Sequence, residues 1–136
     1  DVVYFDILYP DIPDVSNMET NDGSIVGKLT YGVTSVMLTG DSPISKELYL
    51  VNKNSQILNV DVLKLGHHGS RTSSDLSYLK ATTPALVIIS AGKDNSYGHP
   101  HKEVLGNLSS LGILYLATYT NGTILCQSNA ISITCN

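Results

Sequence analysis

Three short segments of this 136-residue chain carry the residues best suited to chemistry: Thr39-Gly40-Asp41, Leu65-Gly66-His67-His68-Gly69-Ser70 and Tyr97-Gly98-His99-Pro100-His101. All four histidines lie in the last two. Histidine and aspartate at the ends of neighbouring strands are the donors that metal-assisted hydrolysis requires. Neutral imidazole is the commonest metal ligand. One carboxylate can bridge two divalent ions about 3.5–4 Å apart, which clamp both nucleophile and leaving group.

Each segment also has a plainer reading. Asp41 directly follows an apolar run and a glycine, at the sheet edge where α/β proteins place ligands. It can equally cap the helix opened by Ser42-Pro43. On an extended segment the rings of His67 and His68 point opposite ways, so one faces a metal and the other packs or orients a neighbour; a structural pair in a turn is the alternative. Gly66 and Gly69 let the backbone approach a ligand closely, and Ser70 and Arg71 offer a hydroxyl and a guanidinium to a phosphate oxygen. His99 precedes a helix, where nearby amides suit an anion, or it caps that helix. His101 reads as an exposed residue of the first helical turn.

The elements that must position these residues follow from periodicity. Val2 to Leu8 alternates as a strand, and the Pro- and acid-rich stretch from Tyr9 to Gly23 is a loop. Ser24 to Tyr31 and Val33 to Thr39 form an antiparallel pair around Gly32. Pro43 starts a helix with Ile44, Leu48 and Val51 as its core stripe and Glu47 as an acid favoured by the dipole. Val60 to Leu65 is a strand; Ser73 or Ser74 caps a short helix bearing Leu76 and Leu79. Ala85 to Ile89 has the unbroken apolar character of a strand buried on both faces. A helix from Pro100 carries Val104, Leu105, Leu108 and Leu111 and stops at Gly112. Ile113 to Thr118 is a strand, Asn121-Gly122 a turn from which Thr123 to Cys126 pairs back, and Ile131 to Cys135 a last β run. Strands alternate with helices after residue 40, which predicts α/β layers on a mixed sheet.

Composition bounds the reading. Charged residues make up 15% of the chain, low for a small domain, which implies surface normally covered by something else. Net charge is −4, split between an acidic first third and a mildly basic remainder that holds the histidines. The strongly basic patch of a dedicated nucleic-acid binder is absent, while a phosphate-bearing substrate is permitted. No apolar run is long enough to cross a bilayer. No signal-peptide pattern or initiator Met opens the chain, so Asp1 reads as the start of a piece. Cys126 and Cys135 face each other across a hairpin in one register; reduced core cysteines are the other reading, and the compartment stays open.

Longer blocks around the three segments carry a family resemblance over roughly residues 21–125. They are Asn21-Asp22-Gly23-Ser24-Ile25-Val26, Leu38-Thr39-Gly40-Asp41, the block Leu63 to Ser74 with its His-His-Gly-Ser-x-Thr-Ser-Ser motif, the block Ile88 to Pro100 with Asn-x-Tyr-Gly-His-Pro, and Thr120-Asn121-Gly122-Thr123-Ile124. The chain resembles the second half of a metallo-β-lactamase-fold domain, most closely the C-terminal domain of ComEC-type competence DNA-uptake proteins. That resemblance implies an αββα sandwich, of which residues 1–136 form a single partial domain. It implies one or two zinc or manganese ions activating a water. By matching position, Asp41 resembles the bridging aspartate, His99 the late histidine ligand and His67 the third ligand, with His68 as the alternative inward ring. Asp41, His67 and His68 would carry catalysis, and Ser70, Arg71 and Lys93 would lie near a substrate phosphate.

The function implied is the C-terminal part of a metal-dependent hydrolase, a phosphodiesterase or nuclease acting on single-stranded DNA during uptake. Other hydrolases of the fold, of phosphocholine esterase or lactonase type, are alternatives, as is a metal-free remnant used for binding or assembly. The family's His-x-His-x-Asp-His motif is nowhere in the chain. The expectation is therefore that the chain alone holds no dinuclear site and is inactive. Its partner would be the missing N-terminal half of the domain, which would pair an open sheet edge. The parent would be a bacterial inner-membrane protein carrying this as a soluble domain.

Overall fold

The computed structural model describes residues 2–11 and 16–136. Asp1 and residues 12–15 of the Tyr9–Gly23 loop lie outside the described residues. The fold is mixed α/β: a six-stranded sheet with helices packed on it. Strands β1 (Val3–Tyr9), β2 (Val26–Tyr31) and β3 (Thr34–Leu38) pair antiparallel. Strands β4 (Val62–Lys64), β5 (Leu86–Ile89) and β6 (Leu114–Ala117) continue parallel to β3. Spatial order equals chain order. Helices α1 (Ile44–Asn54), α2 (Leu76–Thr82) and α3 (Lys102–Ser110) fill the three crossovers. Right-handed crossovers that always step the same way put every helix on one face. One core results, joining Met37, Leu63 and Val87 of the sheet to Leu50, Leu79 and Leu108 of the helices.

The opposite face is covered only in part: Val62 is buried and Val36 and Leu86 are half-buried, while the edge strands are exposed. Register aligns Phe5, Leu29, Val36, Val62, Leu86 and Leu114 across all six strands. Phe5 is 49% exposed and Leu114 72%. In β5, Val87 and Ile89 are buried among the helices, but Leu86 and Ile88 are only half-buried. The expectation of a strand covered on both faces is thus met on one. The exposed surface is therefore a face as well as the two edges, β1 and β6.

Four local expectations need correcting. The buried residues of α1 are Glu47 and Leu50, while Ile44, Leu48 and Val51 are half-buried. Asp75, not Ser73 or Ser74, caps α2 by accepting from Ser77 N at 2.7 Å; Ser73 Oγ instead donates to Ser42 O, and Ser74 sits at φ +66°. Helix α3 starts at Lys102, because His101 N donates to Gly69 O rather than continuing a turn from Pro100. After β6 the chain forms a short helix α4 (Thr118–Asn121), and β7 (Cys126–Ser128) pairs with β8 (Ile133–Cys135), not back onto β6. Cys126 lies opposite Cys135 and the two are disulfide-bonded. This hairpin folds over the open face near the β2–β3 turn, where Thr34 Oγ1 and Ser128 Oγ are 2.7 Å apart and Val33 N donates to Ala130 O.

Candidate functional site

The three loops that leave the carboxyl ends of β3, β4 and β5 lie side by side. In the first, Thr39 Oγ1 donates to Lys64 O at 2.9 Å, tying the end of β3 to β4. Gly40, at φ +52°, then turns the chain in the left-handed region that favours glycine. Asp41 follows, its N–H donating to Ser24 Oγ at 3.2 Å.

In the second loop the expectation of an extended His67-His68 fails. Both residues are left-handed, at φ +46° and +56°. His67 N donates to Gly40 O at 3.0 Å, and Ser70 N donates to His67 O at 2.8 Å, closing a tight turn. Strand alternation does not apply to such a turn, so the rings stand 6.3 Å apart instead of on opposite faces. His68 Nδ1 lies 2.6 Å from Ser90 O. A carbonyl only accepts, so Nδ1 carries a proton there, and in the neutral imidazole Nε2 keeps its lone pair. That Nε2 lies 3.9 Å from Asp41 Oδ1. A histidine oriented by a carbonyl on one nitrogen, with the other free, is the usual form of a metal-binding imidazole. His67 Nδ1 faces Thr72 Oγ1 at 3.3 Å.

The third loop is braced by Asn95. Its amide donates to Gly92 O and His99 O, and its Oδ1 accepts from His99 N. The Asn of Asn-x-Tyr-Gly-His-Pro is thereby the clamp on the His. His99 stands 5.5 Å from His67, 6.3 Å from His68 and 4.8 Å from His101, ring centre to ring centre. Burial lowers its pKa first, and the repulsion of His101, His67 and His68 adds to this against an opposing pull from Asp41. Its lone pair is therefore more available at neutral pH than that of an ordinary histidine. His101 is the N-cap residue of α3, and its Nδ1 accepts from Arg71 N at 3.1 Å.

The structure thus brings Asp41, His67, His68 and His99 together, with His68 rather than His67 against Asp41. Ser70 is buried, its hydroxyl 3.0 Å from that of Thr72. Arg71 and Lys93 are exposed on the flanking loops. The donors have the right chemistry for zinc or manganese, but among the described residues no three of them converge on one point.

One role escaped the sequence reading. Glu47, 1% exposed, reaches from α1 to accept from Ser74 N at 2.7 Å and Asp75 N at 2.8 Å. It holds the end of the loop that begins with His67 and His68. Burial pushes its carboxyl up from 4.5 to about 7, the two amide bonds offsetting only part of that. Its helix position alone could not distinguish this role from a solvated acid in a first turn.

A mixed α/β domain with an aspartate and four histidines at the carboxyl edge of its sheet is the class defined by this geometry. No family model matches the chain. It is 41% identical over 120 residues to ComE operon protein 3 of Bacillus subtilis, covering 88% of this chain and 15% of that protein. It is 36% identical over 124 residues to Competence protein ComA of Neisseria gonorrhoeae, covering 91% and 18%. Recombination protein 2 of Haemophilus influenzae is 36% identical over 106 residues, covering 78% and 13%. The chain spans less than a fifth of the length of each of these relatives. No helix among the described residues is long and apolar enough to cross a membrane.

Proposed function

We propose that this chain is one side of a divalent-metal phosphodiesterase site, in a protein that handles DNA during competence uptake. The observation that carries the reading is that three successive loops bring Asp41, His67, His68 and His99 to one edge of the sheet, with the Nε2 of His68 3.9 Å from the Asp41 carboxylate. Asp41 and His68 would be ligands from this chain, with His99 and His67 beside them. Zinc or manganese bound there would lower the pKa of a coordinated water. The chain's own share is orientation: Ser90 O fixes the tautomer of His68, Asn95 fixes the backbone of His99, and Ser24 holds the amide of Asp41. Arg71 and Lys93 flank the site as partners for phosphate oxygens.

The remaining ligands would come from the part of the parent protein outside this chain. The open sheet face supports that reading, because full burial of each large apolar side chain on it gains about 1.5–3 kcal/mol. A metallo-β-lactamase-like αββα sandwich, with the second sheet laid on the Phe5-to-Leu114 row, satisfies both needs at once. Placement in a bacterial inner-membrane protein is part of the same proposal.

The test is calorimetric titration of Mn2+ or Zn2+ into the intact parent protein, wild type and Asp41→Asn, with hydrolysis of single-stranded DNA measured in parallel. Loss of both metal uptake and cleavage in the variant is expected. Unchanged metal stoichiometry and activity in Asp41→Asn removes this edge from the catalytic site.

A further inference from the structure

We propose that the pocket beside the histidine cluster seats a nucleobase, with Tyr97 as its stacking platform. This rests on the DNA reading above and adds to it a site for the base. The pocket holds about 220 Å3 and is lined by His68, Ala91, Gly92, Asn95, Tyr97 and His99. Pockets that enclose a whole small molecule run to about 300–1,000 Å3, so this one takes a single flat group of a larger ligand. Its walls are planar. The Tyr97 ring lies within 20° of parallel to His99 at 5.7 Å, and His99 within 20° of His68 at 6.3 Å.

Tyr97 has no part in the core. It is 76% exposed, yet the loop that presents it is fixed. Ala91 N donates to Thr118 Oγ1 and Ala91 O accepts from it, at 3.0 and 2.8 Å, and Asn95 grips both ends of the following turn. A rigidly presented, solvent-facing aromatic ring gains binding energy with little ordering cost. The pocket shares His68 and His99 with the proposed metal site, so a base seated there sets its own phosphodiester beside Asp41. Exposed Lys93 stands in the same loop and complements the charge of the backbone. Stacking on an aromatic face accepts any base, so the pocket would bind a strand without regard to its sequence.

The experiment compares a fluorescent oligo(dT) with an abasic oligonucleotide of equal length, by anisotropy, on the intact parent protein. Wild type is expected to bind the base-bearing strand about tenfold more tightly than the abasic one. Tyr97→Ala brings that ratio close to one and leaves abasic binding unchanged, while Tyr97→Phe keeps it. Gly92→Val fills the pocket and reproduces the loss; the nearest atom to a Cβ at Gly92 is Asn95 Cβ at 3.9 Å, so the fold accommodates it. Equal wild-type affinity for both strands overturns the pocket and leaves the DNA reading standing, as does a ratio that survives both Tyr97→Ala and Gly92→Val. Failure of wild type to bind either strand overturns the DNA reading and the pocket with it.

Discussion

Among the described residues Glu47 carries the one buried carboxyl, and its replacement by glutamine isolates the coupling of that group's ionisation to the fold. In the folded chain its pKa stands near 7 against an ordinary 4.5. The folded state therefore binds the proton more tightly than the unfolded chain does. Stability from this group is fully present below about pH 4.5, falls as pH rises through the window to about 7, and is level above it. A displacement of that size corresponds to about 3 kcal/mol. Glutamine cannot titrate, and its amide nitrogen meets one of the two N–H donors of Ser74 and Asp75, leaving it unsatisfied at about 1–3 kcal/mol. Urea denaturation of wild type and Glu47→Gln between pH 4.5 and 8 reads the difference. The variant is expected to be clearly less stable at pH 4.5, and its deficit to shrink by up to about 3 kcal/mol by pH 7.5. Every other titrating group is common to both proteins and cancels. Parallel stability curves across the window would falsify the coupling, and would mean that Glu47 keeps an ordinary pKa despite its burial.

Two further perturbations probe the architecture. A Cβ at Gly69, where φ is +82°, stands 2.6 Å from Pro100 Cβ, so Gly69→Ala pushes the His99 segment away from the His67-His68 turn; a loss of about 2–4 kcal/mol in denaturation is expected, with weaker metal uptake by calorimetry. Reduction of Cys126–Cys135, or Cys126→Ser with Cys135→Ser, frees the hairpin that lies over the open face; a cost of about 2–3 kcal/mol appears as a lower melting temperature in reductant, and an unchanged melting temperature refutes a stabilising role.

The order of strands and helices was legible because each unit is local. An apolar run, a glycine and a helix signal recur within each stretch from β3 to α3. The three chemical segments were legible for the same reason, since each closes one such run. What could not be read depends on contacts across the chain. His67 and His68 take left-handed conformations because Gly40 O and Ser70 N close the turn around them, and no local propensity of histidine predicts that. Three cap-type residues stand in a row at Ser73, Ser74 and Asp75; the Ser73 hydroxyl is directed to Ser42 O, Glu47 holds the backbone N–H groups of Ser74 and Asp75, and the Asp75 carboxylate is left to accept from Ser77 N. Asn121-Gly122 does make a turn, with Gly122 at φ +72°, but it ends a short helix; the partner of β7 is decided by the Cys126–Cys135 register. The unbroken apolar character of β5 predicted burial on both faces, and it is met on one, where Val87 and Ile89 pack under the helices while Leu86 and Ile88 stay half-buried.

The loops of the site are latched in series. Gly40 O receives His67 N, Gly69 O receives His101 N, and His101 Nδ1 receives Arg71 N. Such a site cannot be rebuilt by exchanging one loop for that of a related protein, as can be done where loops stand free on a barrel rim. Insertion of a single residue in any of the three breaks a bond to its neighbour and shifts the next. The unit of transplantation is the whole edge, residues 39–101, and a graft that respects this boundary should keep its shape on a foreign sheet of the same strand order.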